Sequence, residues 1–346
     1  MRIKTKLLMI LVLLAITLWL NWDAVKDATS QKETITGRAT QTLQENTTAP
    51  EIYFCPRDNC GAELVEWLDA AQESIHCAFF ELKLENVKSK LDEKSKEIDV
   101  KLVTDTDYYK QISNMSISQK GLVRQDNKSG FMHNKFCVLD GKAVWTGSFN
   151  PTERCNYKNN NNAIFYQSRL LAQNYEAEFL EMWNRTFEKG TRTSNPTIIL
   201  NGKNVSSYFC PEDWCANKVI YELQDAKESI YFMTYSFTHD EIGKAVLAKA
   251  KEGVTVKGVF EKSQNSNYTE YYPFKNAGID VRWDGNKYNL HHKVFIIDNS
   301  TVVTGSFNPT SNGDERNDEN VLIIHDPEVA KRYLEEFEYV WSQASN

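Results

Sequence analysis

Residues 133–150 read HNKFCVLDGKAVWTGSFN, and residues 291–308 read HHKVFIIDNSTVVTGSFN. Both follow one pattern, H-x-K-x4-D-x6-G-S-x-N, with identical spacing. Lys135 to Leu139 and Val294 to Ile297 are short, apolar runs, which predicts buried strands. Residues i and i+2 of a strand share a face, so His133 projects beside Lys135 and His291 beside Lys293. A single His-x-Lys carries little weight, because a lone strand histidine is usually structural. Two complete copies at matching places are not coincidence.

Working outward, the copies belong to a longer repeat. Phe54-Cys55-Pro56 with Cys60 matches Phe209-Cys210-Pro211 with Cys215 at an offset of 155. From Val123-Arg124 against Val281-Arg282 the offset becomes 158 and holds to the end. Tyr175, Phe179 and Trp183 match Tyr333, Phe337 and Trp341; their spacing of four sets three aromatics along one helix stripe, expected to be core. A period of this length is a domain-sized module. Each module alternates short apolar strands with amphipathic helices, which argues for an α/β fold with a mixed sheet flanked by helices. The expected division is a leader over 1–22, a flexible stalk over 23–50, module one over 51–188, a linker over 189–204 and module two over 205–346.

The motif residues suit phosphoryl transfer. Lys135 and Lys293 supply fixed cations for phosphate oxygens; Ser148, Asn150, Ser306 and Asn308 supply neutral hydrogen-bonding groups. One neutral imidazole can attack phosphorus, and a second, protonated, can protonate the departing oxygen and later activate water. One histidine per module requires the two modules to share a cleft. No metal-ligand cluster accompanies either motif in the sequence, so the chemistry calls for no metal and no cofactor.

These residues resemble the phospholipase D superfamily, and the resemblance covers nearly all the chain after the stalk. It implies two modules packed as a pseudo-twofold dimer within one chain, with the monomer as the expected form. It implies that Asp140 and Asp298 are structural and lie away from the phosphate. It also implies an acidic residue downstream that hydrogen-bonds the catalytic histidine. Glu319, 28 residues after His291, is the match, and Asn161 stands at the equivalent place in module one. Pairing Glu319 with His291 favours that imidazole's charged form. His133 is then the expected nucleophile and His291 the acid.

The superfamily contains lipid-acting enzymes and nucleases, so the motif fixes the reaction and not the substrate. A phospholipid is the first expectation and nucleic acid the alternative; a silent binding protein is a third class. The aromatic runs Tyr108-Tyr109 and Tyr271-Tyr272-Pro273-Phe274 are candidates for a lipid interface. Arg124, Lys128, Arg282 and Lys287, with Trp283 or Tyr288, are candidates for a nucleic-acid groove. A net charge of -7 gives no general attraction for nucleic acid.

Arg2, Lys4 and Lys6 precede an apolar run from Leu7 to Leu20, a signal peptide or an uncleaved anchor. The expected location is therefore membrane-anchored with an exported catalytic part, or secreted, and the bilayer is an expected partner. Seven Asn-x-Ser/Thr sequons, beginning at Asn46, agree with export. Of the seven cysteines, Cys55 with Cys60 and Cys210 with Cys215 read as local disulfides, against a four-thiolate zinc site as the alternative. Cys77 and Cys137 read as plain core residues.

Overall fold

The computed structural model describes residues 42–127 and 129–345; the leader and most of the expected stalk lie outside the described residues. Leu43–Asn346 form one compact unit. Its first strands are β1 (Gln44–Glu45), β2 (Glu51–Cys55), β3 (Ser74–Phe79), β4 (Asp99–Thr104), β5 (Val123–Gln125), β6 (Lys135–Leu139), β7 (Ala143–Gly147) and β8 (Asn161–Tyr166). The second half adds β9 (Thr197–Leu200), β10 (Lys203–Cys210), β11 (Ser229–Thr234), β12 (Thr255–Phe260), β13 (Asp280–Trp283), β14 (Lys293–Ile297), β15 (Thr301–Gly305) and β16 (Glu319–His325).

Module one is a sheet of order β2-β8-β7-β6-β3-β4-β5, and β10-β16-β15-β14-β11-β12-β13 repeats that order strand for strand. In each, three strands run parallel through helical crossovers while the motif strands run antiparallel. Helices Cys60–Ala70 and Glu85–Lys94 serve module one, and Cys215–Asp225 and Asp240–Lys251 serve module two. The closing helices Arg169–Trp183 and Pro327–Gln343 start at side-chain caps, Ser168 and Asp326. Their aromatic stripes, Tyr175 and Phe179 with Tyr333 and Phe337, lie in a central cluster that mixes residues of both halves. Separate clusters fill the rest of each module. The central cluster is why neither half is a self-contained core.

Two boundaries move. Residues 189–204 are not all linker, because Thr197–Leu200 pair with β10 as an added edge strand. The last part of the stalk is tied down as well. Gln44 and Glu45 pair with β9, and the Glu45 carboxylate accepts from the Ser168 hydroxyl at 2.6 Å.

The motif's invariant punctuation has local causes. Asp140-Gly141 and Asp298-Asn299 all have positive φ, as the hairpins joining β6 to β7 and β14 to β15 require. Gly147 and Gly305 also have positive φ, and a Cβ on either would meet the carbonyl oxygen of Asn162 at 2.5 Å or of Asn320 at 2.3 Å.

Cys55 bonds Cys60 and Cys210 bonds Cys215, so the four thiolates are not gathered into a zinc site. Cys77 and Cys137 are also bonded, which corrects their reading as plain core cysteines. They are direct cross-strand neighbours on β3 and β6, a pairing that strand register decides and composition does not reveal. Cys155 is free and buried. Peptide mapping of unreduced protein is expected to recover these three links. The Cys77–Cys137 bridge spans 60 residues and contributes about 4 kcal/mol, so Cys77→Ala with Cys137→Ala should lower Tm by roughly 7 °C.

Candidate active site

Each motif is completed by the other module. The His133 N–H donates to the Asp318 carbonyl at 2.9 Å, and the Asp318 N–H to the Phe131 carbonyl at 2.9 Å. Reciprocally, the His291 N–H donates to the Asn160 carbonyl at 2.8 Å, and the Asn160 N–H to the Asn289 carbonyl at 2.9 Å. These parallel bridges deliver the next residue of the opposite module to each imidazole. Glu319 Oε2 lies 2.8 Å from His133 Nδ1. Asn161 Oδ1 lies 2.7 Å from His291 Nδ1, which also faces the Ser148 carbonyl at 3.1 Å.

The partners are therefore exchanged relative to the sequence expectation: Glu319 serves His133 and Asn161 serves His291. The expectation followed chain proximity within one module. The crossing strands bring the same repeat position to the histidine in trans.

Lys135 and Lys293 are buried, and their ammonium groups donate to the carbonyls of His133 and, at 2.7 Å, His291. Burial lowers Lys135 to about 7, opposed by Glu319. Burial and the neighbouring Lys135 charge hold Lys293 well below its ordinary value. Burial, then the two lysines, likewise hold both histidines well below the ordinary imidazole range. Glu319 is raised to about 8 by burial, opposed by Lys135 and a hydrogen bond from Ser306. Burial thus disfavours charge on the lysines and histidines alike, and an entering anion would restore it, which suits the site to a phosphate.

Both histidines line one cleft of about 700 Å³. Asn150 and Asn308 line it too, and their buried side-chain oxygens have no hydrogen-bond partner among the described residues. Ser148 and Ser306 do not face it as expected. Their hydroxyls accept the backbone N–H groups of Asn162 at 3.0 Å and Asn320 at 2.9 Å, fixing the strands that carry Asn161 and Glu319. Asp140 and Asp298 lie at the far ends of the motif strands from the lysines. Asp140 accepts N–H groups of Gln72, Glu73 and Ser74, and Asp298 those of Lys227, Glu228 and Ser229.

Two rings escaped the sequence reading. Phe80 meets His133 edge-on with centroids 4.7 Å apart and lies 5.1 Å from Lys135 Nζ. Tyr235 repeats this with His291 at 4.9 Å and Lys293 at 5.0 Å. Their shared place in the repeat, 155 apart, was the available signal.

The candidate interface residues divide differently from expectation. Tyr108 lines the cleft, but Tyr271 and Phe274 are buried in module two. Arg124 and Arg282 stack on Trp183 and Trp341, at 4.2 and 3.8 Å, outside the cleft lining. Trp283 stacks on Tyr271 at 3.9 Å. Lys128 lies outside the described residues.

Comparison with known proteins gives the family. The family described as "Cardiolipin synthase, PLD-like domain" matches residues 64–183 and 219–341. The chain belongs to this phospholipase D-like family, and it is a phosphodiesterase. Phospholipase D of Rickettsia typhi is 37% identical over 137 residues, covering 39% of this chain and 67% of that protein. Mitochondrial cardiolipin hydrolase of Mus musculus is 32% identical over 128 residues, covering 37% of this chain and 58% of its own length. The crystal structure of phosphatidylserine synthase from Haemophilus influenzae aligns with TM-score 0.62 over 85% of this chain and 87% of that one. At 12% identity it speaks for the tandem fold alone.

Proposed function

We propose that the chain is a phospholipase D-type enzyme that hydrolyses a phospholipid head group, or transfers it to an alcohol, through a phosphohistidine on His133. The observation that carries this is the Glu319–His133 pair facing two buried lysines. Attack by His133 Nε2 forms a P–N bond while Nδ1 keeps its proton, so the phosphorylated ring becomes cationic. The lysines and that cation offset the burial that raises Glu319, so it meets the ring as a carboxylate, as in a hydrolytic triad. The acid has the opposite need, because it must give its proton up. An amide partner, Asn161, leaves His291 the better donor. His133 thus keeps the nucleophile's role for a reason different from the one first expected.

Both histidines are neutral in the free site. An entering phosphodiester anion offsets the lysines and lets His291 take up a proton. As the P–N bond forms, the P–O bond to the leaving group breaks and His291 protonates that oxygen. Neutral His291 then removes a proton from water or an alcohol, whose oxygen attacks phosphorus and breaks the P–N bond. No step requires a metal.

A lipid substrate is favoured by the cleft's apolar wall of Phe80, Tyr108 and Phe131, with Phe131 47% exposed. The apolar run Leu7–Leu20 is proposed to hold this wall near a bilayer. Among the described residues no helix is long and apolar enough to cross a membrane. One observation favours nucleic acid instead. Arg154 lines the cleft, and Lys158 lies 5.2 Å from the ring of Tyr288, a pairing that single strands can stack upon.

Purified protein is expected to release head groups from mixed phospholipid vesicles and to leave single-stranded DNA intact. At 25 °C, with circular dichroism unchanged, EDTA should leave the turnover rate as it was. Cleavage of DNA without lipid turnover would reverse the substrate. Activity lost to EDTA and restored by a divalent ion at constant fold would overturn the mechanism.

A further inference from the structure

The interface between the modules has two ends that the repeat makes equivalent, yet their chemistry is opposite. At one end buried Glu336 pairs with Arg57, and lies 3.1 Å from His292 Nε2. The guanidinium also covers the ring of Tyr339 at 3.8 Å. The repeat carries Arg57 to Glu212, Glu336 to Glu178, Tyr339 to Glu181 and His292 to Asn134. Where one end has a cation between a carboxylate and a ring, the other has three carboxylates.

Ligand oxygens of Glu178, Glu181 and Glu212 all lie within 4.8 Å of one another. Glu178 is only 5% exposed, and the foremost charges acting on it are Glu212, Asp318 and Glu181, all negative. Asn134 Nδ2 reaches Glu178 Oε1 at 3.5 Å, a weak contact. A second observation comes from Asp318, which is 4% exposed. Its Oδ1 accepts the Glu188 N–H at 2.7 Å, but Oδ2 has no hydrogen-bond partner among the described residues, and Glu212 is the foremost charge it meets. A cavity of about 320 Å³, lined by Glu178, Glu181 and the 191–195 segment, opens beside the group; its one cation, Arg192, lies over the Trp214 ring at 3.8 Å. Like charges buried together without a counter-ion are strongly unfavourable.

We propose that Glu178, Glu181 and Glu212 bind one divalent cation that replaces, at this end of the interface, the Arg57 guanidinium of the other. Calcium fits an all-carboxylate donor set and retains waters for which the cavity has room. The site lies behind the first motif, through Asn134, and away from the phosphate. Its role is to hold the modules together. Without an ion, the alternative is one proton shared between Glu178 and Glu212.

The test is calorimetric titration of calcium into chelator-treated full-length protein, with thermal unfolding in parallel. One calcium per chain is expected, with a Tm rise of about 5 °C at a hundredfold excess over Kd. Glu181→Gln should weaken binding at least tenfold while the fold is retained. Glu212→Arg rebuilds the Arg57 arrangement. It should abolish the calcium response while keeping Tm at or above that of the calcium-free wild type, which separates loss of the site from loss of the fold. Calcium binding that survives Glu212→Arg would place the ion elsewhere. Absence of calcium binding, with a Tm that calcium does not move, would overturn the site in favour of the shared proton. Preferential binding of zinc would overturn the assignment to calcium.

Discussion

His133→Ala is expected to yield no acid-stable or acid-labile phosphohistidine with any substrate, and a turnover more than about ten-thousandfold below wild type. The size follows from losing the covalent route, with only binding and the two lysines left to help. His291→Ala should differ in kind. With a good leaving group it should still label His133, because such an oxygen needs little protonation, and it should then stall because nothing activates water. Glu319→Gln keeps a hydrogen-bonding side chain but removes the negative charge. It should slow adduct formation about a hundred- to a thousandfold, whereas Asn161→Ala should be milder. Mapping the rapidly quenched adduct decides the matter. A phosphoryl group found on His291 in the His133→Ala protein would exchange the two roles.

Lys135→Met should reduce turnover about a thousandfold, comparable to losing a principal anion-stabilising donor. The same change should alter stability in a pH-dependent way. Lys135 titrates at about 7 in the folded protein against 10.5 for an ordinary lysine. Between those values the unfolded chain holds the extra proton, so wild-type stability rises with pH, by up to about 1.4 kcal/mol per unit. Glu319, raised to about 8 from 4.5, works in the opposite sense at lower pH, so the comparison belongs above pH 8. There the wild-type Tm should climb towards pH 10 while that of Lys135→Met stays flatter. Parallel curves would mean that Lys135 keeps its proton throughout.

Much of the fold was readable because the sequence states it twice. The strands around Lys135–Leu139 and Val144, the closing helices and their aromatic stripes all follow from periodicity, and the repeat supports each assignment with a second example. What sequence could not supply was register and crossing. Cys77 and Cys137 meet because β3 and β6 align them, and nothing in their local composition says so. Glu319 was recognisable as a catalytic partner, but its histidine was misassigned because the bridge from Met132 to Asp318 joins residues far apart in the chain. Ser148 and Ser306 look like phosphate donors by residue type. Their hydroxyls lie off the cleft lining and accept backbone N–H groups that only the folded strands present.

The crossing of strands also makes each half depend on the other for its chemistry. A single ancestral module would have to assemble as a homodimer to supply two histidines. Today neither half could return to that state with the same chemistry. Two copies of the first half would set Asn161 against both histidines, and two copies of the second would set Glu319 against both. On the proposed division of roles, the first assembly lacks the carboxylate that favours attack, and the second gives the acid a partner that holds its proton. Of these three pairings, the fused chain alone offers one amide and one carboxylate.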